Sequence, residues 1–139
     1  MFKIAYRRVA DVSPFVYLPG AAGLTLGMAA NLTSGALAKC TASVKPTHII
    51  MGPQREDGNY PAIEVNDNIV FETTSTATVA QTVVGSAVTI ATDALTVTAT
   101  TTKGVFKVLT TDGATTNSTV TGVFVEPASV AAETREETR

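Results

Sequence analysis

From Ser86 to Thr102 the chain reads Ser-Ala-Val-Thr-Ile-Ala-Thr-Asp-Ala-Leu-Thr-Val-Thr-Ala-Thr-Thr-Thr, with apolar and hydroxyl side chains in alternation. Val88 and Ile90 fall on one parity, and Thr89 and Ala91 on the other. Leu95, Val97 and Ala99 then oppose Thr96, Thr98 and Thr100. Successive side chains of an extended strand point to opposite faces. β-Branched residues at period two therefore read as strands with one dry face and one wet face. Plain strands of this kind suit a scaffold better than an active site.

A chain of 139 residues is the size of one domain with a single core. Apolar residues make up 45% and charged residues 16%, which argues against disorder in the main body. With no Trp, three Tyr and five Phe, the core must come mostly from Val, Ile, Leu, Ala and threonine methyls. The formal net charge of −2 carries no clustered basic stripe, so nucleic-acid binding is not expected. Charge is concentrated at the ends. Lys3, Arg7 and Arg8 make a basic start, while Glu126, Glu133, Glu136 and Glu137 with Arg135 and Arg139 make a mixed, mainly acidic end. Cys40 is the only cysteine, which excludes an intrachain disulfide and a thiolate metal cluster. No stretch has the length of a membrane-spanning helix or of a signal-peptide core, so the expectation is a chain made and kept in the cytoplasm, with no membrane partner.

Strand signals recur along the chain. Phe2, Ile4 and Tyr6 alternate with Lys3, Ala5 and Arg7, which reads as an extended arm or an edge strand. Ser13-Pro14 and Pro19-Gly20 punctuate the apolar run Phe15-Val16-Tyr17-Leu18, which either caps the core or docks on a neighbour. Ala21 to Ala30 is alanine-rich, but Gly20, Gly23 and Gly27 each cost a helix about 1 kcal/mol. A strand from Leu24 to Leu32 is expected instead, turning at Thr33-Ser34-Gly35 into Ala36–Cys40. Thr47–Met51 follows, then the polar loop from Gly52 to Pro61, then Ala62–Val65 and Ile69–Thr73 joined through Asn66-Asp67-Asn68. Further strands are expected at Thr78–Val84, Ala87–Ala91, Leu95–Ala99, Val105–Thr110 and Val120–Val125. Short strands at regular spacing imply an all-β sandwich or barrel. The resulting organisation is an N-terminal arm over 1–20, a β-domain over 21–126 and a flexible tail over 127–139.

Catalytic chemistry has little to build on. A nucleophile needs a base within hydrogen-bond reach, and the base needs an orienting group. His48, the only histidine, lies inside an apolar strand, and Cys40 reads as a buried structural thiol. Glu56, Asp57, Glu64, Asp67 and Glu72 are near one another in sequence but lack the ordered spacing of a calcium loop. No phosphate-cradling glycine loop is present. The expectation is a non-enzyme without cofactor or metal.

Several stretches, in order, resemble the small decoration or cement proteins of tailed-bacteriophage heads. They are Gly23-Leu24-Thr25-Leu26-Gly27-Met28-Ala29 with Leu32-Thr33-Ser34-Gly35-Ala36-Leu37, Lys45-Pro46-Thr47-His48-Ile49-Ile50-Met51-Gly52-Pro53, Arg55-Glu56-Asp57-Gly58, and Asn68-Ile69-Val70-Phe71-Glu72-Thr73. The closing part, Gly104 to Leu109 and Val120 to Val125, resembles their final hairpin. The resemblance spans about 20–125 and is one of pattern, without a diagnostic motif. It implies a compact β-barrel or sandwich on the outer capsid surface of the virion. Its partner would be the major capsid protein, often with the decoration protein as a homo-oligomer, a trimer by expectation. It also implies an N-terminal arm as the grip, here Phe2, Lys3, Tyr6, Arg7, Arg8, Phe15 and Tyr17. Aromatic and basic residues of that kind are enriched at interface anchors. A carbohydrate- or host-surface-binding β-module is the alternative, weakened by the lack of Trp and by Tyr60 as the one tyrosine outside the arm.

Overall fold

Short β-branched runs separated by turn residues pair into two antiparallel sheets in a computed structural model, which describes residues 1–8, 15–66 and 68–127. The strands are β1 (Lys3–Arg7), β2 (Val16–Pro19), β3 (Ala29–Thr33), β4 (Ala36–Lys39), β5 (His48–Ile50), β6 (Asn59–Glu64), β7 (Ile69–Thr74), β8 (Ala87–Val88), β9 (Phe106–Thr111) and β10 (Thr119–Phe124). One five-stranded sheet has the order β1-β7-β10-β9-β8 and the other β2-β6-β5-β3-β4. The fold is all-β and sandwich-like. Its sole helical element among the described residues is a 3₁₀ turn at Gln81–Val83. The edges of the second sheet touch through one bridge, Gly20 to Leu37, with Ala21 N–H donating to Leu37 O at 3.2 Å. A single bridge is not a ladder, so that sheet curls without closing into a barrel.

Local chemistry explains the tight connections. Thr33 pairs with Ala36, leaving Ser34 and Gly35 as a two-residue turn with φ of 53° and 81°. Two left-handed residues in succession match the twist of the flanking strands. Between β6 and β7, Asn68 N–H donates to Asn66 Oδ1 at 2.9 Å, the side-chain turn that asparagine favours. Between β9 and β10, Asp112 Oδ1 accepts from Ala114 N and Thr119 N, each at 3.0 Å. These bonds hold the Asp112 carboxyl below its usual pKa.

The core is one apolar cluster that draws on both sheets. Its centre is aromatic. Phe124 lies 5.1 Å from Phe2, 5.4 Å from Phe71 and 5.2 Å from Phe106, centroid to centroid, in tilted or edge-on geometry. Such pairs add about 0.5–1.5 kcal/mol each beyond area burial. Beside this cluster β9 carries one extra residue, because Thr110 pairs with Thr121 while Val108 pairs with Gly122. A Cβ on Gly122 would fall on the Lys107 carbonyl oxygen, so this crossing needs glycine.

The structure departs from the expected strands where threonine hydroxyls bond to turn backbone. Thr78–Val84 is not a strand: Val83 N–H and Val84 N–H turn back to Ala80 O and Gln81 O, and Thr78 Oγ1 donates to Thr115 O. Leu95–Ala99 is not one either. Asp93 Oδ1 accepts from Leu95 N and Thr96 N, and Ala94 is left-handed with φ of 57°. Only the bridges Ile90–Val97 and Ser75–Val97 remain, and Ala87–Ala91 shrinks to Ala87–Val88. This segment instead ties the sheets together, as Ala94 O accepts from Ala29 N at 2.8 Å and Val97 N donates to Thr74 O at 3.1 Å. The Leu24–Leu32 strand begins only at Ala29, after Gly23 and Gly27 with φ of 96° and 82°. β6 starts three residues before the expected Ala62.

Candidate interaction surface

The N-terminal segment is built into both sheets. β1 pairs along β7, from Lys3 with Glu72 to Arg7 with Ile69, and β2 pairs along β6, from Val16 with Ala62 to Pro19 with Asn59. An arm that swings free is therefore corrected to two edge strands. The reason is apolar: Phe2 is 1% exposed within the phenylalanine cluster, and Ile4, Val16 and Leu18 pack against the core. Phe2 is a core residue and leaves the set of docking residues.

Alternation alone would put Tyr6 on the same face as Phe2 and Ile4. A bulge intervenes, because Ile4 pairs with Phe71 and Tyr6 with Val70, so Ala5 is the extra residue. Past the bulge, Tyr6 is 53% exposed and Arg7 is half-buried. Phe15, just before β2, and Tyr17, on it, are 45% and 49% exposed. Tyr17 carries the Arg55 guanidinium over its ring, 4.7 Å from the centroid. The loop from Gly52 to Gly58 presents that arginine. Gln54 Nε2 donates to Gly58 O at 3.0 Å, and Gly58 N donates to Arg55 O at 3.0 Å. A shallow open concavity lies against Arg55, Glu56 and Asp57.

Topology gathers these side chains. Arg7 is opposite Ile69 at the start of β7, Val16 is opposite Ala62 near the end of β6, and residues 65–68 join the two. The end of β1 and the start of β2 thus lie at the same end of the sandwich, each on the outer edge of its sheet. Tyr6, Arg8, Phe15 and Tyr17 are exposed on or beside these strand ends, and Lys3 is exposed at the other end of β1. Lys3 is engaged with Glu72 at 3.6 Å, an exposed pair that adds about 0–1 kcal/mol. Arg55 was absent from the sequence expectation. The sequence marked it as part of a polar loop and of the stretch Arg55 to Gly58 in the resemblance, but its contact with Tyr17 depends on β2 lying beside β6.

Other residues with chemical potential are held structurally. His48 sits in β5 between Ala30 and Glu64, its Nδ1 2.8 Å from Thr47 Oγ1. Burial lowers its pKa, against an opposing pull from Glu64. Cys40 Sγ donates to Val44 O at 2.9 Å, and burial pushes its thiol up to about 12. A thiol so hard to ionise is a poor nucleophile. Among the described residues no group of three or more His, Cys, Asp or Glu could hold a metal ion, and no helix is long and apolar enough to cross a membrane. The tail expected over 127–139 lies outside the described residues after Pro127. Comparison with family models, with curated proteins and with solved structures finds no match to this chain.

Proposed function

We propose that the chain is a structural virion protein that binds the outer surface of a tailed-phage capsid and stabilises the shell. The observation that carries this reading is the exposure of aromatic side chains along the two N-terminal edge strands. Tyr6, Phe15 and Tyr17 are exposed there, and the Arg55 guanidinium lies over the Tyr17 ring. Tyrosine and arginine dominate binding energy at protein interfaces because they bury large area and still offer hydrogen bonds. The partner in this reading is the major capsid protein, with copies assembled as a homo-oligomer, a trimer by preference. No turnover chemistry is required. Each copy favours the closed lattice by mass action, because it binds the assembled shell and not free subunits.

Co-sedimentation with shells that lack the protein tests the reading. The combined variant Tyr6→Ala, Phe15→Ala and Tyr17→Ala should bind at least about 100-fold more weakly while melting as the parent does, at about 1–2 kcal/mol per anchor. Undiminished binding by a folded triple variant would remove these side chains from the interface.

A further inference from the structure

Arg55 is an exposed arginine whose place is set before anything binds it. Its main chain is fixed on both sides in the loop before β6, where Arg55 N–H donates to Asn59 O at 2.7 Å and Arg55 O accepts from Gly58 N at 3.0 Å. Asp57 Oδ1 closes the same turn by accepting from Asn59 N at 3.0 Å. On the neighbouring strand Tyr17 lies opposite Pro61, and its ring holds the Arg55 guanidinium 4.7 Å from the centroid. A ring face attracts the charge as a whole and not one particular N–H, so the fork of guanidinium donors stays open to an acceptor. Neither adjacent carboxylate takes it. Arg55, Glu56 and Asp57 are all exposed around one shallow concavity, and no two of them come within ion-pair distance.

Separated charges of both signs select a ligand of mixed charge. A lone carboxylate would meet Arg55 but be repelled by Glu56 and Asp57, and a lone cation would meet the reverse. A carboxylate with a cation beside it suits all three. The guanidinium offers that carboxylate two parallel N–H bonds, which an ammonium cannot. Ordering a long arginine side chain ordinarily opposes binding, and the Tyr17 ring has already done part of that ordering. We propose that the Tyr17–Arg55 pair seats a carboxylate side chain of a partner protein that stands next to a lysine, with Glu56 and Asp57 meeting the lysine. This inference rests on the reading of the N-terminal edge strands as a protein-binding surface and names the chemistry of the contact.

The test titrates the ¹⁵N-labelled full chain, at low salt, with the peptide Ac-Thr-Lys-Glu-Thr-NH2, its Gln counterpart Ac-Thr-Lys-Gln-Thr-NH2, and Ac-Thr-Glu-Glu-Thr-NH2. The Lys-Glu peptide should shift the Arg55 Nε–Hε resonance and the Glu56 and Asp57 amides, half-saturating at about 1–10 mM. The other two should bind at least about fivefold more weakly, one for want of a carboxylate and one for want of a cation. Arg55→Lys keeps charge but loses the fork, and Tyr17→Leu loses the ring. Each should weaken the Lys-Glu peptide at least about threefold, read at the Glu56 and Asp57 amides, while melting as the parent does. Absence of any shift up to about 50 mM peptide, equal binding of either control peptide, or a folded Tyr17→Leu that binds as the parent does would overturn the proposal. An equal shift at the Nε–Hε of exposed Arg8 would also overturn it, by showing attraction to any exposed arginine. A variant that did not fold would leave the decision to the parent chain and the three peptides. The isolated chain is the reagent, so a negative result here is distinct from a failure to bind shells.

Discussion

Phe2 has two other rings for neighbours, Phe106 and Phe124, with centroids 5.7 and 5.1 Å away. Phe2→Ala should therefore cost about 3–5 kcal/mol in equilibrium urea unfolding, the range for a large-to-small change in a packed core. A cost near that of a surface substitution would place Phe2 outside the core. His48 gives a pH dependence with a defined sign. Its folded pKa lies below the ordinary value of about 6.5, so the unfolded chain takes up the proton first. The His48 contribution is whole above about pH 6.5 and is lost as pH falls through that value towards the lower folded pKa. Urea midpoints should drop from pH 7.5 to pH 5, and His48→Gln should flatten that slope. An unchanged slope in the variant would assign it to other groups, such as Glu64, which faces His48 across the strands.

At the scale of elements, the two N-terminal strands are edges of different sheets, and each covers part of one core. Removing residues 1–19 should unfold the chain or leave it with fluctuating packing, visible as collapsed amide dispersion in a ¹H–¹⁵N spectrum. A well-dispersed spectrum from the truncated chain would restore the independent arm. The same elements show how far the sequence could be read. Ser34-Gly35, Asn66 to Asn68 and the alternation in β9 and β10 were legible because turn chemistry and period two act within a few residues. The Thr-rich stretch from Thr89 to Thr100 misled for a physical reason. Threonine methyls mimic strand valines, but the Thr89 and Thr98 hydroxyls bond each other, and Asp93 and left-handed Ala94 break the run. The bulge at Ala5 was invisible for a similar reason. Nothing in Ala-Tyr-Arg says which residue is left unpaired, yet that choice alone exposes Tyr6. Of the expected docking residues, Lys3, Tyr6, Arg8, Phe15 and Tyr17 are exposed and Arg7 is half-buried, while Phe2 is not available and the unforeseen Arg55 lies over Tyr17. The Tyr17–Arg55 contact should be worth about 0.5–1 kcal/mol in a double-mutant cycle on stability. Additive single effects would mean that the two side chains do not cooperate.

For the whole molecule, the proposed role asks little of the fold beyond stiffness and presented edge strands. Two sheets share one core, and the segment between β8 and β9 ties them together by backbone bonds at Ala29 and Thr74. That frame would let the edge strands reach a capsid surface with little ordering cost on binding, which favours affinity without added contact area. The most direct measurement compares heat survival of phage particles made with and without this protein, with purified protein added back to the deficient shells. The account predicts that deficient particles assemble but lose their DNA at a lower temperature, and that added protein restores them while the Tyr6, Phe15 and Tyr17 triple variant does not. Deficient particles as heat-resistant as complete ones would contradict the stabilising role and bring a host-surface-binding role forward.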